Sequence, residues 1–191
     1  MVSRRQQRKE FELFALVHLD AIYRAALRLS RDPAEAEDLA QEVFFRAYRS
    51  FHQFERGSNC RAWLFKILKN TFINRERAMS QGRSDVSLGN IETGGEGWLE
   101  EAVALSGSGP EDRLLSKITG EQIKKAVEEL PESFRRIFLL SEVEGFTYKE
   151  IARIEGCPLG TVMSRLYRAR RMLQSLLRDF VEERDVRLRE P

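Results

Sequence analysis

The sequence is poor in the residues that mark secreted, metal-binding or catalytic proteins. It has two cysteines, Cys60 and Cys157, far apart and with neither a C-x-x-C pair nor a His-x-x-x-His partner. Neither a disulfide framework nor a zinc site is legible, and a reducing cytoplasm fits best. Its two histidines, His18 and His52, are the whole supply of near-neutral bases. Without a P-loop, an H-E-x-x-H or a G-x-S-x-G motif, no catalytic constellation can be assembled around them, so neither an enzyme nor a bound metal or cofactor is expected. The 12 glycines and 5 prolines are too few for a collagen-like or proline-rich chain. No apolar run approaches the length of a membrane span. The opening cations Arg4, Arg5, Arg8 and Lys9 imitate the start of a signal peptide, but Glu10, Glu12, Asp20 and Arg24 interrupt the apolar residues beyond them.

What is present is a 191-residue chain with 42% hydrophobic and 32% charged residues, enough for one large domain or two small ones. The 12 Phe supply apolar bulk. Net charge is only +2, yet its distribution is uneven. From Asp32 to Glu42 every charge is acidic, whereas from Gly156 to Arg178 there is no acid, only Arg165, Arg168, Arg170, Arg171 and Arg178. A near-neutral total therefore hides separated patches.

Hydrophobic spacing predicts helices throughout. Phe11, Phe14, Ala15, Val17, Leu19, Ile22, Ala25, Ala26 and Leu29 keep the helical period and predict one long amphipathic helix over residues 11 to 30. Asp32-Pro33-Ala34-Glu35 then combines an N-cap, a proline at the first helical position and a glutamate three residues after the cap, starting a second helix. Its stripe is Ala36, Leu39, Ala40, Val43, Phe44, Ala47, Tyr48 and Phe51, which leaves Asp38, Gln41, Glu42, Phe45, Arg46 and Arg49 on the opposite face. A phenylalanine off the stripe is unusual. After a break at residues 55 to 59, a third helix is predicted from Arg61 to Arg77. From Ser80 to about Gly109 the composition becomes that of a linker, rich in Gly, Ser, Asn and Glu. Within it, Trp98 and Leu99 followed by Ala102, Val103 and Leu105 are either a short docked helical turn or a local cluster. Helix restarts at Pro110 or Glu111. Thr119 caps a helix running to Leu130, and Pro131 opens another that stops at Gly145. Thr147 and Glu150 form a capping box, Gly156 closes that short helix, and a final helix runs from Leu159 to about Leu177.

The last two helices carry the sharpest signal. A helix-turn-helix needs a small residue where its helices cross, a glycine in the turn and a branched apolar residue early in the second helix. Ala152, Gly156 and Val162 occupy those places. Val162, Leu166, Ala169 and Leu173 would face inward, leaving Met163, Ser164, Arg165, Tyr167, Arg168 and Arg171 as candidates for contact with a major groove. There arginine bonds guanine edges, Ser and Tyr bond bases or phosphates, and Met rests on a thymine methyl. The plainer reading is a solvated arginine face, but no acids are present to pair with it along the helix.

A second candidate spans Arg56 to Arg77, where Arg61, Lys66, Lys69, Arg75 and Arg77 mix with Trp63, Phe65, Phe72, Asn70 and Asn74. Cations, rings and amides together suit an unstacked single strand, although Trp63 and Phe72 at helical spacing are more commonly core. His18 reads as a partly buried helix residue. Cys157 reads as packing, and Cys60 beside Arg61 is the one place where a lowered thiol pKa is conceivable.

Three segments, DPAEAEDLAQEVFFRAYRSF, FERGSNCRAWLFKILKNTFINRER and LPESFRRIFLLSEVEGFTYKEIARIEGCPLGTVMSRLYRARRML, together resemble the extracytoplasmic-function branch of the bacterial sigma-70 family. The resemblance implies an all-α protein of two small helical domains joined by a flexible linker. Residues 1–79 would bind core RNA polymerase and the minus-10 element, 80–110 would link, and 111–191 would read the minus-35 element through the helix-turn-helix. It places the polymerase contact on Asp38, Gln41, Glu42, Phe45, Arg46 and Arg49. It places the capture of a flipped base on the loop from Phe54 to Arg61, with Asn70 in the following helix near that pocket. It also implies an anti-sigma factor as a partner. GTVMSRLYRARR and LSEVEGFTYKEIA look most like the subgroup held by zinc-containing, redox-responsive anti-sigma proteins, so that any zinc would belong to the partner. The rival reading is a response-regulator-type helix-turn-helix protein acting on intact duplex. It lacks a phosphate-accepting α/β receiver, for no strands alternate with helices.

Overall fold

The computed structural model describes residues 4–80 and 120–187. The linker with Trp98, the restart at Pro110 or Glu111 and the Thr119 cap lie outside the described residues. Every regular element described is helical: α1 (Arg4–Phe14), α2 (Leu19–Ser30), α3 (Pro33–Ser50), α4 (Cys60–Ser80), α5 (Gly120–Glu129), α6 (Glu132–Phe138), α7 (Tyr148–Glu155) and α8 (Leu159–Arg187).

The predicted helix over residues 11 to 30 is two helices. After Phe14 the chain tightens into a 3-10 turn over Leu16–His18 before α2 begins. That turn shifts the phase of the stripe. Phe11, Ala15, Ile22, Ala25 and Ala26 are buried, while Phe14, Val17 and Leu19, expected inside, are exposed together with Leu13 and Leu16. A 3-10 turn advances about 120° per residue instead of 100°, so a pattern read at one period loses its face.

The start of α3 is as its sequence dictates. Asp32 is extended, its side chain accepts the Glu35 N–H at 2.9 Å, and Pro33 stands where no donor is needed. Ala36, Leu39, Ala40, Val43 and Ala47 are buried on one face. Small residues at 36, 40 and 47 allow α2 and α4 to approach closely, and Ile22, Leu39, Leu64 and Leu68 fill the space between with almost no exposure. Each such side chain contributes roughly 1.5–3 kcal/mol by leaving water. Phe11 fastens α1 to this core, its ring edge-on to Phe44, Tyr48 and Phe51 at 6.4, 5.2 and 5.3 Å between centroids.

In the second stretch Ala126 and Leu130, Phe134 of α6, and Ala169 and Leu173 of α8 form a buried cluster. The end of α6 widens into a π-helical turn over Leu139–Val143, an insertion that no periodicity reveals. Gly145 and Gly156 adopt φ values of +67° and +66°, which carry the chain out of one helix and toward the next at no steric cost. The capping box is formed: Thr147 donates from both its N–H and its hydroxyl to the Glu150 carboxylate at 2.9 and 2.8 Å. The final helix is longer than expected, running to Arg187 and not ending near Leu177.

Candidate nucleic-acid interface

On α8 the inward residues are those expected. Val162, Leu166, Ala169 and Leu173 are buried, so the helix is fixed in rotation about its axis. That leaves Arg168 and Arg171 exposed and Met163, Ser164, Arg165 and Tyr167 half-buried around the outer side. Ser164 donates its hydroxyl to the Thr161 carbonyl at 3.2 Å, and Arg171 lies over the Tyr167 ring at 5.9 Å while donating to its hydroxyl at 3.4 Å. Arg165 and Arg168 have no carboxylate partner among the described residues. Arg170 does: it reaches off the helix to Glu142 at 2.7 Å and so leaves the outer face. The remaining cations are free to meet phosphates or base edges.

The first stretch is less uniform. Asn59 caps α4, its side-chain oxygen accepting the Ala62 N–H at 3.1 Å. Arg56 pairs with Glu10 at 2.6 Å, and Arg61 lies over the Phe65 ring at 5.3 Å. Phe65, grouped from the sequence with the strand-facing residues, is buried in the core. Phe54 and Trp63 are half-buried, and Phe54 stacks on Phe51 at 5.6 Å with Trp63 tilted against it at 5.2 Å. What stays fully open is a ridge of Lys66, Asn70 and Asn74, spaced by four along α4. None of their side chains has a hydrogen-bonding partner among the described residues. A cation and two amides in line are suited to tracking one strand and bonding its base edges.

The outward face of α3 shows Asp38, Gln41, Phe45, Arg46 and Arg49 exposed, with Phe45 at 62%. An exposed aromatic bordered by charges is the composition of a protein-binding hot spot. Arg49 rests over the Phe45 ring at 5.7 Å. A shallow concavity opens beside them, lined by Glu42, Phe45, Arg46, Arg49, Ser50, Ile67, Asn70 and Thr71, so the α3 face and the Asn70 ridge are contiguous. Glu42 does not stand open on this face. Its carboxylate is half-buried and receives Arg46 on one oxygen at 2.6 Å and Arg75 on the other at 2.6 Å. Burial opposes ionisation of Glu42, but the hydrogen bonds and charges of Arg75 and Arg46 outweigh it and hold the carboxyl below its usual range. Spacing along α3 could have suggested Arg46, four residues on; Arg75, on another helix, had no such signal.

Two titratable groups bear on other chemistry. Cys60 is buried, and burial pushes its thiol up to about 11, which overturns the idea of an activated thiolate beside Arg61. His18 is held below its usual range by burial and by the Arg61 charge. Among the described residues, no group of three or more His, Cys, Asp or Glu is placed to hold a metal ion. No helix among them is long and apolar enough to cross a membrane.

Comparison with known proteins matches residues 15–81 to the family model "Sigma-70 region 2" and residues 120–173 to "Sigma-70, region 4". The RNA polymerase sigma-H factor of Pseudomonas aeruginosa is 33% identical over 184 residues, covering 94% of this chain and 92% of that protein. The ECF RNA polymerase sigma-E factor of Escherichia coli is 33% identical over 186 residues, 93% of each. Among solved structures, the sigma factor RpoE of Bartonella quintana, in complex with the anti-sigma factor NepR, is similar with a TM-score of 0.65 at 32% identity, over 89% of this chain and 98% of that one.

Proposed function

The chain belongs to the extracytoplasmic-function branch of the sigma-70 family, and from that premise we propose how its surfaces divide the work of an alternative sigma factor that brings core RNA polymerase to specific promoters. Sigma factors carry no catalytic step of their own. Residues 1–79 hold the polymerase and the minus-10 element, 80–110 connect, and 111–191 hold the minus-35 element.

Polymerase binds the α3 face through Asp38, Gln41, Phe45, Arg46 and Arg49, with Glu42 at its base. The exposed aromatic at Phe45, bordered by charged side chains on the same face, supports this. The α8 face reads duplex through Arg168 and its neighbours Met163, Ser164, Arg165, Tyr167 and Arg171. The ridge of Lys66, Asn70 and Asn74, with Phe54, Arg56, Asn59, Arg61 and Trp63 shaping the loop and aromatic cluster before it, holds the opened strand. Capturing an unstacked base offsets the cost of unpairing, so that binding itself favours melting. The single observation that supports this division is that Asn70 and the α3 face line one concavity, so a polymerase contact on α3 and a strand contact at Asn70 would lie on adjacent sides of one small domain.

The protein works in the cytoplasm, where polymerase and promoter are, and an anti-sigma factor holds it inactive; resemblance in the α7–α8 segment favours a zinc-containing, redox-responsive inhibitor. The test is co-purification with core polymerase followed by run-off transcription. Promoter-dependent transcripts that require the chain are expected. Binding to intact duplex without polymerase, and no transcript with it, would favour the rival helix-turn-helix regulator.

A further inference from the structure

We propose that Arg75 is a positioning residue for polymerase binding and not a promoter contact. The inference rests on the assignment of the α3 face to polymerase. Arg75 lies near the end of α4, one residue beyond the open ridge of Lys66, Asn70 and Asn74, among the cations that the sequence grouped with strand binding. Its guanidinium is turned the other way. Nε and Nη2 donate to Oε2 of Glu42 at 2.7 and 2.6 Å, and Nη2 also donates to the Asp38 main-chain carbonyl at 3.2 Å. Arg46 occupies the remaining carboxylate oxygen, Oε1, with Nε at 2.8 Å and Nη2 at 2.6 Å.

That geometry has three consequences. A glutamate on a helix surface ordinarily samples several rotamers, whereas a carboxylate gripped on both oxygens has one, so the entropy of ordering Glu42 is lost before polymerase arrives. The Asp38 carbonyl and Glu42 lie one turn apart on α3, so a guanidinium bonded to both fixes the rotation of α3 against α4 at the polymerase face. Finally, two arginines around one glutamate leave a net positive charge there, to which the exposed Arg49 adds and which the exposed Asp38, one turn earlier, only partly offsets. The face of α3 therefore offers Phe45 within a cationic border, complementary to an apolar and acidic patch on polymerase.

A cycle of variants in the full chain tests this: Glu42→Ala, Arg75→Ala, the pair together, Arg75→Lys and Phe45→Ala, each titrated against core polymerase by fluorescence anisotropy well below its melting temperature. Arg75→Ala should weaken assembly about tenfold, and the double variant should lie within about twofold of Glu42→Ala alone, the signature of two residues acting as one unit. Arg75→Lys, keeping a point charge but not the fork, should recover part of the loss. At saturating polymerase, Arg75→Ala holoenzyme should bind forked minus-10 DNA as the parent does. Losses at Glu42 and Arg75 that multiply, or a defect on forked DNA at saturation, would overturn the proposal. If Phe45→Ala weakens assembly and Arg75→Ala does not, Arg75 alone is excluded. Parent-like assembly by both Phe45→Ala and Glu42→Ala removes the α3 assignment and this inference with it. Should Arg75→Ala melt too low to assay, the same cycle run with Glu42→Gln and Arg75→Lys decides.

Discussion

On the proposed division of surfaces, the two described stretches would recognise their partners by different means. In the second, one helix does nearly everything: four buried residues set the rotation of α8, and the opposite side carries cations with few competing partners. In the first, neighbouring faces of α3 and α4 would serve two partners, and several polar side chains there and in the loop before α4 are already tied into bonds, while Lys66, Asn70 and Asn74 stay open. Arg56 holds Glu10, Asn59 caps a helix, and Arg75 and Arg46 share Glu42. A surface that reads duplex DNA needs only a rigid support, whereas one that must bind polymerase and hold a separated strand needs its side chains placed in advance. The difference predicts that damage to the second stretch acts through the core beneath it, and damage to the first through individual surface groups.

The largest effect should come from Leu166→Ala. Leu166 is 1% exposed behind the recognition face, and its truncation should cost about 2–5 kcal/mol. Duplex minus-35 binding should fail while polymerase assembly through residues 4–80 persists; loss of both in parallel would show that the stretches do not act independently. Arg168→Ala should cost about 1–3 kcal/mol and relax specificity at one base position, because a bidentate base contact is lost. Equal loss on consensus and single-base-variant promoters would make it a phosphate contact. Removing the α3 cap with Asp32→Ala should lower stability by about 1 kcal/mol, visible as a lower thermal midpoint with polymerase affinity little changed at lower temperature.

The smallest effect concerns acid. His18 has a folded pKa below its unfolded value, so the unfolded chain takes up the proton first and stability falls as pH drops through about 6.5. Glu42 is depressed as well, so its contribution is present above the ordinary carboxylate range and is lost as pH falls below it. His18→Gln should flatten the upper stage of the stability profile and leave the lower stage intact. An unchanged slope near pH 6 would mean that the imidazole gains no protection on folding.

Local chemistry was legible in the sequence wherever it operates within a turn of helix. Asp32 and Pro33, the Thr147 and Glu150 box, Gly156, and the α8 stripe from Val162 to Leu173 all stand as their spacing requires, and family resemblance added the polymerase and promoter. What was hidden depends on changes of period or on contacts distant in sequence. The 3-10 turn after Phe14 moved Val17 and Leu19 to the surface, and the π-helical turn at Leu139–Val143 left no pattern to detect. Basic residues look alike in a sequence, yet Lys66 is open, Arg56 pairs with Glu10 and Arg75 crosses to α3. Phe65 was hidden among aromatics for the same reason: a ring at helical spacing has two possible fates, and only tertiary packing selects burial.

The central claim is that the chain opens promoters by holding a separated strand along α4, and the most direct test is permanganate footprinting with run-off transcription on duplex and pre-opened bubble templates. Asn70→Ala is the cleanest variant, since Asn70 is exposed and has no bonding partner among the described residues, unlike Phe54 in its stack. Holoenzyme carrying Asn70→Ala should bind the closed promoter through α8, leave duplex thymines unreactive and regain most of its transcription on the bubble, where the unpairing cost is already met. Thymine reactivity on duplex equal to that of the parent would contradict the account.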